Sequence, residues 1–213
     1  WLTIKGGSQE YVKKLTSGFK NKIKLNSKIK NIVRYKNYIV IEDNKSKEKF
    51  DYVFFACHSD EALEILKKPT ADEVKILSAL PYQKNDIILH TDSSIMPQKK
   101  LSWAAWNYNI DSPDDSPITL TYNMNILQNI KTKEPLLVTL NPKLPISKGK
   151  VIKKLQYTHP KFSKYSVSAQ LKNKIISGKN RTFYSGAYWG KGFHEDGVKS
   201  AYEAVKLFEA VIK

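Results

Sequence analysis

The sequence predicts an α+β protein in which a short β-meander and a long C-terminal helix accompany a larger, mainly antiparallel sheet with helices. Three observations favour this class. Short runs rich in Val, Ile, Tyr and Phe recur between clusters of turn residues, as strands do. Apolar residues recur at helical spacing near both ends of the chain. Proline-rich connections, including Ser112–Pro117, separate the middle runs, which we interpret as one mainly antiparallel sheet.

The first third of the chain predicts one helix followed by short strands. Tyr11, Val12, Leu15 and Phe19 fall at helical spacing, and Ser8 can cap the start of the helix. Three strands then form an antiparallel meander, and a nearly all-apolar strand follows, as in a strand buried on both faces. The predicted ranges are 9–19 for the helix, 29–34, 38–41 and 47–50 for the meander, and 51–56 for the buried strand.

The rest of the chain alternates capped helices with further strands. Ser59 and Thr70 precede acidic residues that complement the N-terminus of a helix. The last segment carries an apolar stripe at helical spacing, formed by Val198, Ala201, Val205, Phe208 and Val211. Predicted helices cover 59–66, 70–77, 166–176 and 197–212, and predicted strands cover 85–90, 101–108, 118–124, 136–140, 151–157 and 182–184.

Composition constrains the class of partner. The chain of 213 residues carries 36 Lys and Arg against 20 Asp and Glu, a formal charge of +16. This charge favours nucleic acid or an anionic membrane, but only Arg34 and Arg181 are arginines, the residue that bidentate phosphate and base recognition prefers. Nucleic acid is therefore not the expected partner. A solvated lysine-rich surface, peripheral membrane association, and a preceding segment with compensating acidic residues stay open.

The cysteine content and the start of the chain give two further expectations. Cys57 is the only cysteine, so no intrachain disulfide can form, in keeping with a cytoplasmic location. The chain begins at Trp1 without an initiator methionine or an apolar leader, so we expect it to continue a longer protein.

The segment from Asn180 to Tyr202 contains the most informative motif. A short strand ends in a glycine-rich turn that leads into the last helix. The first amides of a helix lack internal partners and lie at the positive end of its dipole, so they suit a phosphate or another electron-rich acceptor. Spacing alone leaves open a connection without any ligand. Gly190 and Gly192 do not complete a GxGxxG motif, and no Ser or Thr follows Lys191 as in a P-loop.

Two runs in this segment resemble the C-terminal flavin motif of the FAD-dependent amine oxidase superfamily: Phe183-Tyr184-Ser185-Gly186-Ala187 and Gly192-Phe193-His194-Glu195-Asp196-Gly197. The family motif ends in Gly-aromatic-x-Glu-Gly-Ala, and this chain departs from it with Asp196-Gly197 in place of Gly-Ala. The chain more closely resembles a bacterial branch of predicted NAD/FAD-binding proteins, over nearly its whole length. The runs that carry this resemblance are 56–60, 89–92, 103–108, 139–142, 159–160 and 192–197.

The resemblance implies a split FAD-binding domain whose GxGxxG unit, which holds the pyrophosphate, is not in this sequence. The implied domains are 1–22, an N-terminal helical segment of the substrate domain; 23–58, the meander and buried strand of the FAD domain; 59–178, the substrate domain; and 179–213, the C-terminal strand, turn and helix of the FAD domain. In this arrangement backbone at Ile29 touches adenine, and Ala56 ends a strand near the flavin. The implied cofactor contacts are Ile29, Ala56, Gly186, Ala187, Tyr188, Gly192, Phe193, His194, Glu195, Asp196 and Gly197.

Candidates for catalysis and substrate binding are few. His90 and Asp92 would point to one face of a strand, for proton transfer, for substrate orientation or as a structural pair. The ring of His194 is a further catalytic candidate within the flavin motif. The four histidines and one cysteine lack metal-ligand spacing, so no metal is expected. Trp103, Trp106, Tyr108 and Tyr122 line a substrate pocket or form core, and the resemblance places Phe193 as one wall of an aromatic cage, without a hydroxyl.

For the intact protein, the resemblance implies an FAD-dependent oxidoreductase that transfers hydride from a substrate C–H to flavin N5. A small-molecule or lipid-like substrate would suit it. The implied partner is the N-terminal FAD-binding half, and without that half we expect the chain to hold FAD weakly or not at all and to be inactive. The alternative function is a basic binding module for nucleic acid or an anionic membrane, without catalytic activity.

Overall fold

The computed structural model describes residues 2–109 and 118–213. The chain divides into two compact units, each made of two stretches: unit 1 comprises Trp1–Ile23 and Lys84–His159, and unit 2 comprises Lys24–Gln83 and Pro160–Lys213. The predicted substrate domain 59–178 is therefore shared, because residues 59–83 and 160–178 pack in unit 2 with the meander. The predicted connection Ser112–Pro117 lies outside the described part of the chain.

Short strands provide the framework of both units. Most lie where runs of apolar and β-branched residues predict them, with ends shifted by a few residues. The strands of the described residues are β1 (Asn31–Arg34), β2 (Ile39–Glu42), β3 (Lys47–Phe50), β4 (Val53–Phe55), β5 (Tyr82–His90), β6 (Trp106–Asn109), β7 (Thr119–Asn123), β8 (Leu137–Leu140), β9 (Val151–Pro160) and β10 (Thr182–Tyr184).

Helices connect and cover these strands. The α-helices of the described residues are α1 (Gln9–Thr16), α2 (Ser59–Ile65), α3 (Ala71–Leu77), α4 (Met124–Leu127), α5 (Lys164–Gln170), α6 (Asn173–Ile176) and α7 (His194–Val211), and short 3₁₀ segments cover Ser17–Lys22, Ser93–Ile95, Lys100–Ser102, Lys148–Lys150 and Ala187–Trp189.

The meander of unit 2 is confirmed, with β1, β2 and β3 paired antiparallel in that order. Its second turn is closed by the side chain of Asp43, whose Oδ1 accepts the amides of Lys45 and Ser46 at 2.7 and 2.6 Å. Aspartate favours such turns because its short carboxylate reaches its own following backbone.

A two-stranded parallel sheet, formed by β4 and β10, is the second framework of unit 2. Burial of β4 on both faces was predicted, and this is wrong for Phe54. Val53 and Phe55 are buried, but Phe54 is 41% exposed. The reason is that Phe54 is covered only by its stack on Phe183, at 4.6 Å between ring centroids, and by the edge of Phe208 from α7 at 5.5 Å.

The core of unit 2 joins an apolar cluster to one buried ion pair. Ile39, Ala62 and Leu77 are fully buried, and each large apolar side chain contributes roughly 1.5–3 kcal/mol when removed from water. Arg34 of β1 holds Glu73 of α3 with both guanidinium nitrogens, at 2.8 Å for the Nη2–Oε2 bond. This ion pair therefore joins the meander to the helical layer.

Further hydrogen bonds complete the coordination of the Glu73 carboxylate. It accepts the hydroxyl of Tyr184 in β10 at 2.8 Å and the amide of Thr70 at 2.7 Å. Burial opposes the ionisation of Glu73, but the Arg34 and Thr70 hydrogen bonds outweigh it and lower the pKa of this carboxyl. Burial and the Glu73 charge both raise the pKa of Tyr184, so this phenol remains a neutral donor.

The sheet of unit 1 has the strand order β6-β7-β8-β5-β9. β6/β7, β7/β8 and β5/β8 pair antiparallel, which confirms the mainly antiparallel sheet. The register gives this sheet two chemically distinct faces. Trp106 and Tyr122 are cross-strand partners on one face, whereas Thr121 and Thr139 are partners on the other.

Two predicted elements differ from the structure because local turns interrupt them. The strand predicted over 101–108 begins only at Trp106, after a turn in which the Asn107 side chain bonds both the N–H and the carbonyl of Ala104. Trp103 is therefore not on that strand. The helix predicted over 166–176 starts earlier, where Ser163 caps the Ser166 amide at 3.2 Å, and breaks at Lys172, whose backbone is not helical.

Helix α7 starts three residues before the predicted position, and its packing face shares Phe208 with the predicted apolar stripe. Ala204 is its one buried residue among those described. Phe208 packs edge-on against Phe183, at 5.6 Å between centroids. Much of the predicted apolar stripe is instead open to solvent, since Val198 is 63% and Val205 is 44% exposed.

Removing one charge of the buried pair should destabilise unit 2 strongly. We expect Glu73→Gln to lower the free energy of unfolding by about 3–5 kcal/mol, because Arg34 is left buried without a counter-charge. Urea denaturation at neutral pH measures this effect. Glu10→Gln, which changes an exposed ion pair with Lys13, is the matched control and should leave the midpoint unchanged.

The pH dependence of that difference has a defined sign. Because the pKa of Glu73 is lowered on folding, its stabilising contribution is complete above the ordinary value of 4.5 and is lost as the pH falls through the lowered pKa. The gap between wild type and Glu73→Gln should therefore shrink in acid. A loss below about 1 kcal/mol at neutral pH would contradict the central role of this pair.

Candidate functional site

The carboxyl ends of β4 and β10 lie side by side, because the two strands are parallel. Ser185 ties these ends together, since its N–H and its hydroxyl both donate to the carbonyl of Phe55, at 2.8 and 3.1 Å. In open α/β sheets, ligands bind outside the carboxyl ends of the strands. Ala56 and the turn after Ser185 therefore form the candidate site of unit 2.

Gly186 shapes the start of this turn. Its φ of 155° is a conformation that residues with a side chain rarely adopt, and a Cβ at this position would lie 2.4 Å from Cε1 of Tyr188. The hydroxyl of Ser200, from α7, accepts the Gly186 amide at 2.9 Å and lies 3.1 Å from its carbonyl oxygen. Glycine is thus required for the ring of Tyr188 to fold back over the turn.

The turn buries two polar side-chain atoms. Tyr188 is 4% exposed, and neither its Oη nor the Nε1 of Trp189 has a hydrogen-bond partner among the described residues. Burial, and then the neighbouring Tyr82, raise the pKa of Tyr188, so its hydroxyl stays protonated. Gln170 fixes the backbone of the turn by donating to the carbonyls of Tyr188 and Gly190, at 2.8 and 2.6 Å.

The start of α7 is acidic. Asp196 Oδ2 accepts the amides of Lys191 and Phe193 at 3.1 and 2.9 Å, and Glu195 lies in the same first turn. A Cβ on Gly190 would meet Asp196 Oδ1 at 2.4 Å, so this glycine permits the close approach. The two carboxylates oppose a bound phosphate, whereas a neutral, polarised carbonyl keeps the benefit of the helix dipole.

The structure brings most of the predicted cofactor residues together. Ala56 is exposed beside Ser185, Gly192 and Phe193 are exposed just before α7, His194 and Glu195 are exposed in its first turn, and Tyr188 is buried. Ile29 lies apart from this turn, exposed and two residues before β1. Gly186, Ala187, Asp196 and Gly197 are half-buried within the turn and the first turn of α7.

Three supporting residues were not singled out from the sequence: Gln170, Ser200 and Tyr82. The hydroxyl of Tyr82 accepts the amide of Ser59 at 2.9 Å, and its ring stacks on His58 at 4.3 Å. Burial, and then the charge of Glu61, raise the pKa of the nearby Cys57 thiol, which keeps it protonated. Gln170, Ser200 and Tyr82 each bond backbone that is distant in sequence, so local spacing contains no signal for them.

His90 and Asp92 form a buried polar network in unit 1. The two residues do not share a strand, because β5 ends at His90 and Asp92 caps the turn at Ser93–Ile95. The Asp92 amide donates to Nδ1 of His90 at 3.1 Å, which leaves the imidazole proton on Nε2. Nε2 then donates to the hydroxyl of Thr139 at 2.8 Å.

The Asp92 carboxylate is also fully engaged. It accepts the amide of Ser147 at 2.8 Å and the amide and hydroxyl of Ser94, and Lys150 lies 3.6 Å away. The Ser147 amide, ahead of the opposing effect of burial, lowers the pKa of Asp92 far below its ordinary value. Burial lowers the pKa of His90, against the charge of Asp92. This geometry favours the structural alternative over proton transfer.

The predicted substrate-pocket aromatics are divided between the units. Trp106 and Tyr122 meet edge to face at 5.5 Å, and Trp106 and Tyr108 are 39% and 57% exposed. Trp103 donates from Nε1 to the carbonyl of Pro97 at 2.8 Å. Phe193, 44% exposed, belongs to unit 2. Trp106, Tyr108 and Tyr122 therefore form one aromatic surface of unit 1, and their substrate role stays a prediction.

Within residues 2–109 and 118–213, no group of three or more His, Cys, Asp and Glu side chains is arranged to hold a metal ion. No helix in that same part of the chain combines the length and the apolar character needed to cross a membrane.

Comparison with solved structures shows what this fold is similar to. A CLA-producing fatty acid isomerase from P. acnes aligns with a TM-score of 0.67 at 13% identity, covering 95% of this chain and 52% of that chain. Cyclohexylamine oxidase from Brevibacterium oxydans IH-35A aligns with a TM-score of 0.64 at 9% identity, covering 97% and 53%. A triple mutant from the redesign of cofactor binding in putrescine oxidase gives 0.63 at 8% identity, covering 96% and 53%.

These similarities are similarities of fold. The chain spans about half the length of the solved structures that it matches. No protein-family model matches the sequence. No curated protein matches it by sequence either. The predicted α+β class is confirmed, as is its likeness to part of the fold of several oxidases.

Because His90 is buried and neutral, we expect the free energy of unfolding of the protein to fall on mild acidification. Its folded pKa lies below the ordinary value of 6.5, so the unfolded chain takes up a proton that the folded chain excludes. Between neutrality and the lowered pKa, the free energy of unfolding should fall by up to about 1.4 kcal/mol per pH unit from this group. Urea denaturation between pH 7.5 and 5.5, about one unit either side of the ordinary histidine pKa of 6.5, measures the slope.

Two variants separate His90 from the other histidines. His90→Gln should be less stable at neutral pH, because Thr139 loses one of its two hydrogen-bond partners and keeps only Thr121, but its stability should depend less on pH over this range. His194→Gln, which changes an exposed histidine, should keep the wild-type slope. An unchanged slope in His90→Gln would show that this imidazole is not the group responsible.

Proposed function

We propose that this chain supplies the flavin-ring side of a split FAD site in an FAD-dependent oxidoreductase. The single observation that carries the proposal is the arrangement at the carboxyl ends of β4 and β10. A glycine-dependent turn leads there from β10 into α7, beside the end of β4. The shared fold with two amine oxidases supports it.

The residues of the turn fit an isoalloxazine ring better than a phosphate. Glu195 and Asp196 place negative charge in the first turn of α7, and Asp196 already occupies the amides of Lys191 and Phe193. A neutral carbonyl such as flavin O2 can still accept from the following amides of the helix. Tyr188 and Trp189 also bury a hydroxyl and an indole N–H, which interact with each other and have no further hydrogen-bond partner among the described residues.

When bound, FAD would supply the redox chemistry by accepting, at N5, the hydride that leaves a substrate C–H. The chain would do the positioning. Residues at the start of α7 would hold the ring edge, Ala56 would border it, and the exposed ring of Phe193 would provide an apolar wall without a hydroxyl. The helix dipole would favour the negative charge that develops at N1–O2 on reduction.

The proposed partner is an N-terminal FAD-binding half that completes the parallel sheet. Among the described residues β4 pairs only with β10, which leaves its other edge open. Phe54 on that strand and Val198 on α7 are 41% and 63% exposed. A parallel strand with its own helices would cover such surfaces, and its GxGxxG turn would hold the pyrophosphate.

The proposed substrate is a small or lipid-like molecule that has an oxidisable C–H bond. The aromatic surface around Trp106, Tyr108 and Tyr122 suits an apolar body, and Phe193 offers the same chemistry near the turn. The structural neighbours act, by their names, on fatty acids and on amines. Both classes supply substrates with a long or cyclic apolar part.

Flavin loading tests the proposal directly. The protein expressed with its upstream half should purify with flavin absorbance that bleaches on reduction. The 213-residue chain alone should retain FAD weakly or not at all, because it lacks the pyrophosphate unit. Intact protein that stays colourless after reconstitution with FAD would overturn the proposal, and tight stoichiometric FAD in the isolated chain would contradict the split site.

A matched pair of glycine variants tests the turn itself. Gly186→Ala should lower the flavin-to-protein ratio of the intact protein at least about tenfold, because the new Cβ displaces the ring of Tyr188 and strains the backbone. Gly149→Ala adds the same methyl group with no heavy atom within 4 Å, and should retain flavin. Circular dichroism separates misfolding from loss of binding, and equal flavin in folded preparations of both variants would reject the site.

A further inference from the structure

We propose that unit 2 carries a second ligand site, for a small phosphorylated anion, at the end of the parallel pair opposite the turn. The site is a cleft of about 890 Å³, lined by Arg34, Lys36, Lys67, Lys68 and Arg181 together with the rings of Tyr35 and Tyr52. No acidic residue belongs to this lining. The inference does not depend on the flavin proposal.

The position of the cleft follows from the direction of the strands. Tyr52 and Arg181 immediately precede β4 and β10, whereas Ala56 and Ser185 follow them. Three strand residues span roughly 10 Å, so the cleft and the glycine-rich turn lie at opposite ends of the same pair. Lys36 enters from the turn between β1 and β2, and Lys67 and Lys68 from the segment after α2. The backbone N–H of Lys67 donates a hydrogen bond to the carbonyl of Ile32 at 3.1 Å.

Arg181 is positioned before any ligand arrives. Its Nε donates to the carbonyl of Lys36 at 2.9 Å, and its Nη1 donates to the carbonyl of Asp51 at 3.2 Å. The guanidinium lies 5.0 Å from the centroid of the Tyr52 ring. A guanidinium has five N–H donors, so these two bonds leave a planar fork available for phosphate oxygens.

The backbone at this point is strained. Asn180 and Arg181 both have positive φ, 49° and 60°, in a region that side-chain-bearing residues seldom occupy. Such conformations cost about 1–3 kcal/mol each and persist where the surroundings enforce them. The two residues form a tight turn that the Thr182 amide closes onto the carbonyl of Lys179 at 3.0 Å, and from this turn the Arg181 side chain reaches the carbonyls of Lys36 and Asp51.

The charge of the cleft is not neutralised within it. Arg34 is balanced by the buried Glu73, and its Nη2 also donates to the carbonyl of Lys68 at 2.9 Å. Four positive charges then remain in the lining, those of Lys36, Lys67, Lys68 and Arg181. The three lysines are exposed, and Arg181 is half-buried. Four cations around one concavity favour a ligand with several negative charges in a small volume.

The form of the cleft favours a small anion over a polymer. The cations converge on one concavity at one end of the sheet, whereas a nucleic acid or a membrane needs cations spread along a groove or over a flat face. The exposed ring of Tyr35, stacked on Tyr38 at 4.6 Å, offers a surface for an organic group attached to the phosphate. Phosphate monoesters and diphosphates are therefore the expected ligands.

Isothermal titration calorimetry of the full protein with inorganic pyrophosphate tests the site. We expect saturable binding that weakens at least about tenfold in the double variant Lys36→Gln/Lys68→Gln, because two charge-assisted contacts are lost. Lys164→Gln/Lys174→Gln makes the same charge change at two lysines of unit 2 outside the lining and should bind as the wild type does. Arg181→Lys keeps the charge but loses the fork, and should also weaken binding.

Several outcomes would overturn the proposal. These are no saturable pyrophosphate binding, equal weakening in the two double variants, or displacement of pyrophosphate by FAD, which would place the anion in the cofactor site. Binding of a single-stranded oligonucleotide or of phosphatidylserine vesicles without pyrophosphate binding would assign the cations to a polymer or a membrane instead. Thermal unfolding of each variant confirms that it is folded, and if Arg181→Lys is not, the lysine variants decide alone.

Discussion

The buried contact of Arg34 with Glu73 and Tyr184 is the interaction on which unit 2 depends. One carboxylate joins three elements that are far apart in sequence: β1 of the meander, α3, and β10 of the parallel pair. A buried ion pair adds little net stability over an apolar contact, but breaking one is costly. The main effect of this ion pair is therefore on position. It fixes β10 against the meander, and this determines where both ends of the parallel strand pair lie. The glycine-rich turn follows one end, and the basic cleft precedes the other.

The parts of the fold that depend on local sequence could be predicted. The meander strands and the strand 182–184 follow from short apolar runs and turn residues, and the α3 start follows from its Thr70 cap. The predicted Ser59 cap of α2 is wrong, because Ser59 lies inside that helix and its hydroxyl donates to the carbonyl of Leu77 at 3.1 Å. Where a polar side chain closes a local turn in place of continuing a strand, prediction failed. Asn107 closes a turn that delays β6, and Asp92 forms a cap where a strand was expected to continue. Helix α7 was predicted from its apolar stripe, but it packs through Ala204 and Phe208, because the aromatic cluster of β4 and β10 selects that face.

The candidate site shows the same division. The residues from Gly186 to Gly197 could be chosen from a contiguous motif, and the structure does gather them at the ends of two strands. The residues that hold that motif in place could not, since Gln170 and Ser200 act through hydrogen bonds to backbone carbonyls and amides that leave no pattern in the local sequence. His90 and Asp92 were chosen for their chemistry. Their burial and complete hydrogen bonding favour the structural alternative, because a catalytic imidazole needs access to a reacting proton and His90 is fully buried.

The two ends of the parallel pair differ in charge, and this difference limits what each can bind. The negative charges of Glu195 and Asp196 repel phosphate from the start of α7, so the helix dipole there favours a neutral hydrogen-bond acceptor. Arg181 and the lysines at the opposite end favour an anion that the first site rejects. A ligand with both a flavin ring and phosphates would need a third surface for its pyrophosphate, because roughly 10 Å of strand separates the two ends.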